Sequence, residues 1–288
     1  MRNDFAVFIL THGRANNIYT LNALKKGNYT GKIYFIIDNE DEQVDEYYRL
    51  YGDKVIMFDK IETAKRVDSV DNFNKRTAIM YARNECWRIA KDLELNYFLQ
   101  LDDDFTQFAH RYEKDGHLVG INNHQLDRLF TDMIEWLINT NATTVCLCQG
   151  GDLIGGKDSR NYEKKVLRKA MNTFFCRTDR PIEFKGTMNE DVCMYTTYGN
   201  RGELLMSIIN EIVVPKQTQS VAGGMAEEYK ETGTYVKSFY SVITSPNCVK
   251  VSVMGNKFMR LHHHVDWEHC TVKIINEKWR KTRNDSRK

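Results

Sequence analysis

An apolar, aromatic run that ends in three consecutive carboxylates constrains the fold of this chain most. The run 97–101 is followed directly by Asp102, Asp103 and Asp104. Such a run is typical of a buried strand, and in open α/β sheets ligands bind at the carboxyl ends of the strands. Three adjacent carboxylates repel one another and lose hydration when buried, and a divalent cation relieves both effects. Oxygen ligands of this kind suit Mg²⁺ or Mn²⁺, and the alternative is a solvated acidic turn after a strand.

Alternation along the backbone separates the three acids. Successive side chains of an extended segment point to opposite sides, so Asp102 and Asp104 should face the same way. These two acids are therefore the better candidates to share a metal ion, and the role of Asp103 is the least certain.

Other apolar runs predict the sheet to which this strand belongs. Runs at 5–10, 31–38 and 54–58 are typical of strands, and a helical pattern at 71–93 leads into the run at 97–101. Strands that alternate with helices indicate βαβ units and a parallel sheet covered by helices. The pattern becomes mixed after residue 105, with a hairpin, two helices and further strands predicted at 111–120, 126–139, 142–148, 171–177, 207–214, 227–242 and 249–253. We predict an α/β fold with a mostly parallel central sheet and a mixed second half.

The composition excludes some classes of protein. The chain has 288 residues, 42% hydrophobic and 28% charged, which is enough for one large core or two modest ones. Its formal charge of +2 does not give the whole surface a positive potential that would attract nucleic acid, although a local basic patch stays possible. Neither a signal peptide nor an apolar stretch of roughly 18 residues is visible, so we expect a cytoplasmic protein without a membrane partner. The seven cysteines are then expected to be reduced core thiols.

Loops at the ends of the first two strands carry candidate nucleotide-binding residues. Thr11, His12, Gly13 and Arg14 follow the first strand, a common nucleotide-binding position. Arg14 could pair with a phosphate or be a solvent-exposed arginine at a helix start. Asp38 ends the second strand and could hold a ribose hydroxyl or a base edge.

Two further pairs lie next to predicted helices. Arg83 and Asn84 lie on the helix that precedes the central strand and are candidates to face the ligand, with a surface arginine as the alternative. Glu190 and Asp191 stand at a predicted helix start, where the helix dipole alone favours acids.

The C-terminal part contains histidines and a basic end. His262, His263 and His264 are consecutive, so at most two can reach one metal ion from an extended segment. The alternative is a polar, partly exposed strand. The end of the chain, 271–288, is basic and is either a frayed tail or a phosphate-binding arm.

The order of these features resembles the GT-A glycosyltransferases. That fold has a nucleotide-binding α/β half, a DxD motif, a later acidic motif and a C-terminal histidine. The chain is most similar to the TET-associated glycosyltransferases, which are found largely in bacteriophages. The resemblance covers nearly the whole chain and is carried by residues 8–14, 31–34, 38–41, 101–104, 189–191, 223–225 and 260–263.

The resemblance implies one catalytic domain over 1–288. Within it, 1–105 would bind the nucleotide sugar, 106–270 would bind the acceptor, and 271–288 would form a basic tail. Lysines and arginines of the tail would then contact a DNA acceptor (Lys273, Lys278, Arg280, Lys281 and Arg283).

The resemblance also implies roles for the candidate residues. The metal, Mn²⁺ or Mg²⁺, would be held by Asp102, Asp104 and a histidine from 262–264. Asp191, or else Glu190, would take the proton from the acceptor hydroxyl. The nucleotide sugar would be held by Thr11, His12, Gly13, Arg14, Asp38, Arg83, Asn84, Asp102 and Asp103, and the acceptor by Gly223, Gly224 and Trp267.

The activity implied is transfer of a sugar from a nucleotide sugar, UDP-linked by expectation, to the hydroxymethyl group of 5-hydroxymethylcytosine in DNA. One alternative is a GT-A enzyme acting on a protein, lipid or surface glycan. The other is a nucleotide-sugar or DNA-binding module without catalysis.

Overall fold

A computed structural model describes residues 1–73, 76–216, 226–254, 259–270 and 274–280, with only the backbone described for 226–234, 254 and 260. The strands are β1 Phe5–Leu10, β2 Lys32–Asp38, β3 Val55–Phe58, β4 Tyr97–Asp102, β5 Phe105–Lys114, β6 His117–Asn122, β7 Thr144–Gln149, β8 Val166–Leu167, β9 Thr173–Arg177, β10 Leu205–Pro215, β11 Val249–Met254 and β12 Arg260–Val265. The helices are α1 Tyr19–Lys26, α2 Val44–Tyr51, α3 Lys60–Ala64, α4 Met80–Asp92, α5 Leu126–Thr140, α6 Arg160–Lys164, α7 Glu190–Asn200, α8 Ala226–Thr244 and α9 Trp267–Cys270.

One large sheet organises the molecule. Its strand order is β3-β2-β1-β4-β9-β7-β10-β5-β6, and β8 pairs with β10. The strands β3, β2, β1 and β4 are parallel, whereas β9 runs antiparallel to β4, and β5 runs antiparallel to β10. The predicted α/β fold, with a parallel first half and a mixed second half, is confirmed. The strands β11 and β12 form a separate antiparallel pair.

The central strand β1 shows why the first half is so apolar. Phe5 and Val7 pack into a core with side chains of α1, α2 and α5, while Ala6 and Phe8 pack on the opposite face with side chains of α4 and α7. Both faces of the strand are therefore covered, and its sequence is continuously apolar rather than alternating.

The predicted hairpin is confirmed, with β5 and β6 joined at Asp115 and Gly116. Both residues have positive φ, 50° and 80°, which is the geometry that joins two-residue hairpins with the right twist.

The helix predicted at 71–93 begins later, at Met80. The Asp71 carboxylate accepts hydrogen bonds from the backbone N–H of Phe73, from the Thr187 hydroxyl at 2.6 Å and from the Tyr240 hydroxyl at 2.6 Å. An Asp side chain bonded to its own backbone two residues on competes with helix formation. The start of the predicted helix is therefore a loop tied to the second half of the chain.

The prediction that all seven cysteines are reduced is wrong for two of them. Cys248 and Cys270 form a disulfide, with 5.6 Å between their Cα atoms. The backbone N–H of Asp266 donates to the carbonyl of Cys248, which brings α9 to the start of β11. A separation of 22 residues gives no sign of this contact. The other five cysteines are buried and free.

The described residues 274–280 of the C-terminal segment pack against the rest of the chain, so the frayed-tail alternative is wrong for them. Trp279 donates from Nε1 to Glu203 Oε1 at 2.8 Å, and the Arg180 guanidinium lies 3.4 Å above the Trp279 ring. Lys278 Nζ lies 3.0 Å from Glu203 Oε1. Glu203 precedes the start of β10, which pairs in parallel with the start of β7. The segment therefore packs at the edge of the sheet opposite to Asp102.

That position also affects the predicted DNA-binding tail. Lys278 pairs with Glu203, and Arg280 pairs with Glu277 at 2.5 Å. Lys273, Lys281 and Arg283 lie outside the described residues. No helix in the described part of the chain is long and apolar enough to cross a membrane.

Candidate active site

A cleft of about 870 Å³ opens at the edge of the sheet where β1, β2 and β4 end. Its walls come from the loop after β1, the acids after β4, the start of α7, the segment 161–172 and the strand β12. The acidic run, the Glu190–Asp191 pair and the three histidines all line it. The structure therefore brings most of the predicted site residues to one place.

Asp103 fixes the loop that follows β1. Its carboxylate accepts from Thr11 Oγ1 at 2.8 Å and from Arg14 Nη1 at 2.6 Å. The Thr11 hydroxyl also bonds to the hydroxyl of Tyr47 at 2.9 Å, and the N–H of Arg14 donates to that same tyrosine oxygen. Asp103 is thus occupied by protein groups, and Arg14 reaches the cleft with its charge paired to a carboxylate.

Asp102 and Asp104 face the cleft, as alternation predicts. Asp102 Oδ1 accepts from Arg83 Nη2 at 2.8 Å. Burial, with the charges of Asp104 and Glu190, raises the pKa of Asp102 to about 7 against the attraction of Arg83. Burial and the Asp103 charge raise the pKa of Asp104 to about 6. Both carboxylates therefore lack part of the positive charge that would stabilise their ionised forms.

Arg83 joins the two acidic groups. Only 1% of its side chain is exposed, and its Nε donates to Glu190 Oε1 at 3.1 Å while Nη2 bonds to Asp102. Its guanidinium also lies 5.0 Å from the ring centroid of Phe174. Burial would lower the pKa of Arg83, but the charges of Asp102 and Glu190 raise it above its usual value. Arg83 lies between two acids on the wall of the cleft, and its contact with nucleotide phosphate stays a prediction.

Asn84 turns away from the cleft, which corrects its assignment to nucleotide-sugar binding. Its side-chain amide donates to the carbonyls of Met80 and Phe184 at 2.9 and 2.8 Å, and its Oδ1 accepts from the N–H of Phe184 at 2.9 Å. Through these bonds to backbone groups, the Asn84 side chain holds the segment around Phe184 against α4.

Glu190 and Asp191 begin α7 after Asn189, whose φ is +54°. Asp191 is buried, and its Oδ1 accepts from the N–H of Val192 at 2.8 Å. Burial and the neighbouring charge of Glu190 raise the pKa of Asp191 to about 6. A carboxylate with such a pKa is suited to accept a proton near neutral pH.

The histidine run lies on β12, but it does not complete the predicted metal site. Asn189 Nδ2 lies 3.2 Å from His263 Nδ1, and His262 Nδ1 lies 2.9 Å from the carbonyl oxygen of His263. Burial and the charges of His262, Lys237 and Lys169 lower the pKa of His263 to about 3, so its ring is neutral. Across the described ranges no three His, Cys, Asp or Glu side chains are close enough to hold one ion. The histidines, His264 included, line the same cleft as the acids after β4 but do not form a three-ligand group with them among the described residues.

Only one of the three predicted acceptor-binding residues, Trp267, lies among the described residues. Trp267 lines the cleft and stacks on Tyr195, with 5.5 Å between ring centroids. Gly223 and Gly224 lie outside the described residues.

The pocket at the end of β2 contains a residue that sequence reasoning missed. Lys60 is buried and its Nζ lies 3.0 Å from Asp38 Oδ2, and the same oxygen lies 2.9 Å from His12 Nδ1. Burial would raise the pKa of Asp38, but His12 and Lys60 lower it below its usual value. The N–H of Gly13 donates to Asp41, with φ of +66° at the glycine. The only sequence signal for Lys60 was its place shortly after the third strand.

Three solved structures illustrate what the chain is similar to. A mannosyltransferase from Pyrobaculum calidifontis, solved with GDP-Man and Mn²⁺, is 12% identical with a TM-score of 0.47, over 85% of this chain and 69% of that one. A mycobacterial protein is 10% identical with a TM-score of 0.47, over 91% and 83% of the two chains. Glucosyl-3-phosphoglycerate synthase from Mycobacterium tuberculosis, solved with Mg²⁺ and UDP, is 9% identical with a TM-score of 0.44, over 92% and 90%.

No curated protein matches the chain. The sequence model of one family, described as TET-Associated Glycosyltransferase, matches residues 5–224. That match covers most of the chain and includes the acids after β4 and the pair at the start of α7. The chain belongs to the TET-associated glycosyltransferase family and is a glycosyltransferase.

Proposed function

We propose that this glycosyltransferase moves a sugar from a nucleotide sugar, UDP-linked by expectation, to the hydroxymethyl group of 5-hydroxymethylcytosine in DNA. The observation that supports the chemistry is the meeting of two acidic pairs, Asp102 with Asp104 and Glu190 with Asp191, on the walls of one cleft. Membership of the family supports a modified DNA base as the acceptor.

The acids after β4 fit a divalent cation. Asp102 and Asp104 offer hard oxygen ligands on one side of the chain, and burial with the neighbouring carboxylate charges raises their pKa values to about 7 and 6. Mg²⁺ and Mn²⁺ are commonly bound by one or two carboxylates together with substrate phosphates. When bound, such a cation neutralises the charge that develops on the diphosphate leaving group.

The other residues of the cleft would bind the sugar donor and move the proton. The pocket formed by His12, Asp38 and Lys60 offers hydrogen bonds to the nucleoside. The hydroxymethyl oxygen of the acceptor attacks the anomeric carbon, the bond from that carbon to the diphosphate oxygen breaks, and Asp191 takes the hydroxyl proton. Asp191 suits this role better than Glu190, because the Glu190 carboxylate is already bonded to Arg83. The role applies to an inverting reaction.

A donor panel with an oligonucleotide that contains 5-hydroxymethylcytosine tests the proposal, with Mn²⁺ or Mg²⁺ present. Product should form with one nucleotide sugar and should be lost in Asp104→Asn, while the exposed-site control Asp132→Asn keeps its activity. Asp191→Asn should lower kcat by about 10²–10⁴-fold. Unchanged turnover in Asp104→Asn would contradict the metal assignment. A folded protein that forms no product and hydrolyses no sugar donor would contradict the acceptor assignment.

A further inference from the structure

A strongly basic segment, 157–169, contributes residues from Asn161 onward to one lip of the cleft, and we call the whole segment the basic rim. It contains six basic and two acidic side chains, a formal charge of +4, in a chain whose total is +2. We propose that the basic rim binds the phosphate backbone of DNA and so holds the acceptor strand at the cleft. The inference builds on the proposed function and names the surface by which the acceptor is held.

The basic rim is anchored to the sheet and points its charges outward. β8 pairs with β10, and Tyr162 and Leu167 are buried in a small core beneath it. Lys164 and Arg168 are exposed and line the same cleft as Asp191. The rim therefore presents charge on a fixed scaffold beside the residue proposed to take the acceptor proton.

Three of the six cations have protein partners. Lys169 bonds to Asp152 at 2.7 Å, Lys157 lies 3.8 Å from Glu113, and Lys165 Nζ lies 3.4 Å from the Tyr162 ring centroid.

The other three cations are available for a ligand. Arg160, Lys164 and Arg168 are all exposed, and within the described ranges no carboxylate pairs with them. Arginine guanidinium and lysine ammonium groups are the usual partners of phosphate oxygens. A neutral glycan would leave the three charges without a partner, whereas a DNA strand supplies a phosphate at every nucleotide.

Contacts between the basic rim and DNA phosphates would position the acceptor strand for the reaction. Such contacts set the position of a nucleic acid without reading its sequence, and a base in a duplex must leave the stack before an enzyme can act on it. A strand held at the lip by its phosphates can present one extruded base to the cleft. The described residues 274–280 do not offer this, because Lys278 and Arg280 are paired at the opposite edge of the sheet.

Binding measurements on matched variants test the basic rim. The rim variant carries Arg160→Gln, Lys164→Gln and Arg168→Gln. The control variant carries Lys25→Gln, Lys54→Gln and Lys91→Gln, which removes the same charge from exposed positions at the opposite edge of the sheet. Fluorescence anisotropy with a labelled oligonucleotide gives Kd over a series of salt concentrations.

We expect the rim variant to bind at least about tenfold more weakly at low salt, with the slope of log K against log salt reduced by about 2 to 3, since each lost phosphate contact removes roughly 0.7–0.9. The control should stay within about twofold of the unmodified protein, since its lysines lie away from the cleft and only screened long-range charge is lost. In turnover assays, KM for the oligonucleotide should rise more than kcat falls in the rim variant. Thermal unfolding of each variant checks that the fold is kept.

Equal weakening of both variants would overturn the inference, since net charge alone would then explain binding. Absence of DNA binding by the unmodified protein would overturn it too, as would binding to an acidic polysaccharide but not to the oligonucleotide. DNA binding that depends on the rim, without any sugar transfer to DNA, would support the rim and contradict the proposed function.

Discussion

Arg83 is the residue on which the two acidic walls of the cleft depend. A single buried guanidinium bonds to Asp102 on the sheet and to Glu190 on α7. Its helix position was visible in the sequence, but its partners lie 19 and 107 residues away. Sequence reasoning therefore found the residue but not its two acidic partners, because a helical pattern shows which face is polar and not what covers that face.

Removal of that guanidinium should destabilise the protein strongly. Arg83→Met leaves two buried carboxylates without their cation, and we expect a loss of about 3–5 kcal/mol at pH 8. The loss should shrink toward pH 5, because the unpaired acids can then take up protons. Thermal or urea unfolding at the two pH values measures it. The control Arg128→Met removes a surface arginine from α5 and should change stability by less than about 1 kcal/mol. Equal losses in the two variants would contradict the bridging role.

At the scale of elements, apolar runs in the sequence predicted the strands correctly, whereas the sequence pattern did not predict where helix α4 begins. The strands β1, β2, β4 and β7 follow apolar runs, since a strand covered on both faces has little choice of residue. The start of α4 was misplaced because the Asp71 side chain holds its segment in a loop. The packing of α9 and of the segment after it depends on distant partners, which local patterns do not encode.

Glu203 is the anchor of that C-terminal segment. Burial would raise its pKa, but hydrogen bonds from Trp279, Arg180, Thr143 and Lys278 lower it to about 2. The stabilisation is therefore present above the ordinary carboxylate pKa of 4.5 and is lost as pH falls toward 2.

Neutralisation of this anchor should affect stability and leave catalysis intact. Glu203→Gln leaves the buried guanidinium of Arg180 without its counter-ion, and we expect a loss of about 3 kcal/mol at pH 7. The exposed control Glu277→Gln should stay within about 0.5 kcal/mol. Denaturant unfolding measures both. DNA binding and turnover well below Tm should match those of the unmodified protein. A specific loss of DNA binding in Glu203→Gln would contradict the location of the DNA-binding surface beside the cleft.

At the scale of the whole molecule, the sheet separates two charge environments. The edge with the cleft concentrates acids, whereas at the opposite edge Glu203 is paired with Arg180 and Lys278. The parallel first half and the place of the cleft were predictable, since the strand ends carried acids and ligands bind there. The contribution of 157–169 was not, because its charges form no recognisable motif and its place beside the cleft depends on pairing with the distant strand β10.

The buried acids should make stability depend on pH and on metal together. Their folded pKa values of about 7 for Asp102 and about 6 for Asp104 lie above the ordinary 3.8. The metal-free protein therefore binds more protons when folded, and its stability should fall as pH rises from about 4 to 7. Mg²⁺ at saturating concentration should raise Tm most near pH 8 and least near pH 5, because protons compete for the same carboxylates.

Calorimetry with and without Mg²⁺ at the two pH values measures this effect. Asp104→Asn should abolish the Mg²⁺-dependent part, while Asp132→Asn should retain it. A Tm increase of equal size at pH 5 and pH 8 would contradict binding at these acids.

The loop at Asp71 also limits how the enzyme can move. Its carboxylate accepts hydroxyl hydrogen bonds from Thr187 and Tyr240, and two neighbouring backbone bonds, Gly186 N–H to Asp68 and Thr187 N–H to Ser69, join the same segments. A hinge opening between the two halves of the chain would break all four bonds at once. We therefore expect these four bonds to resist a hinge motion that separates 68–71 from 186–187.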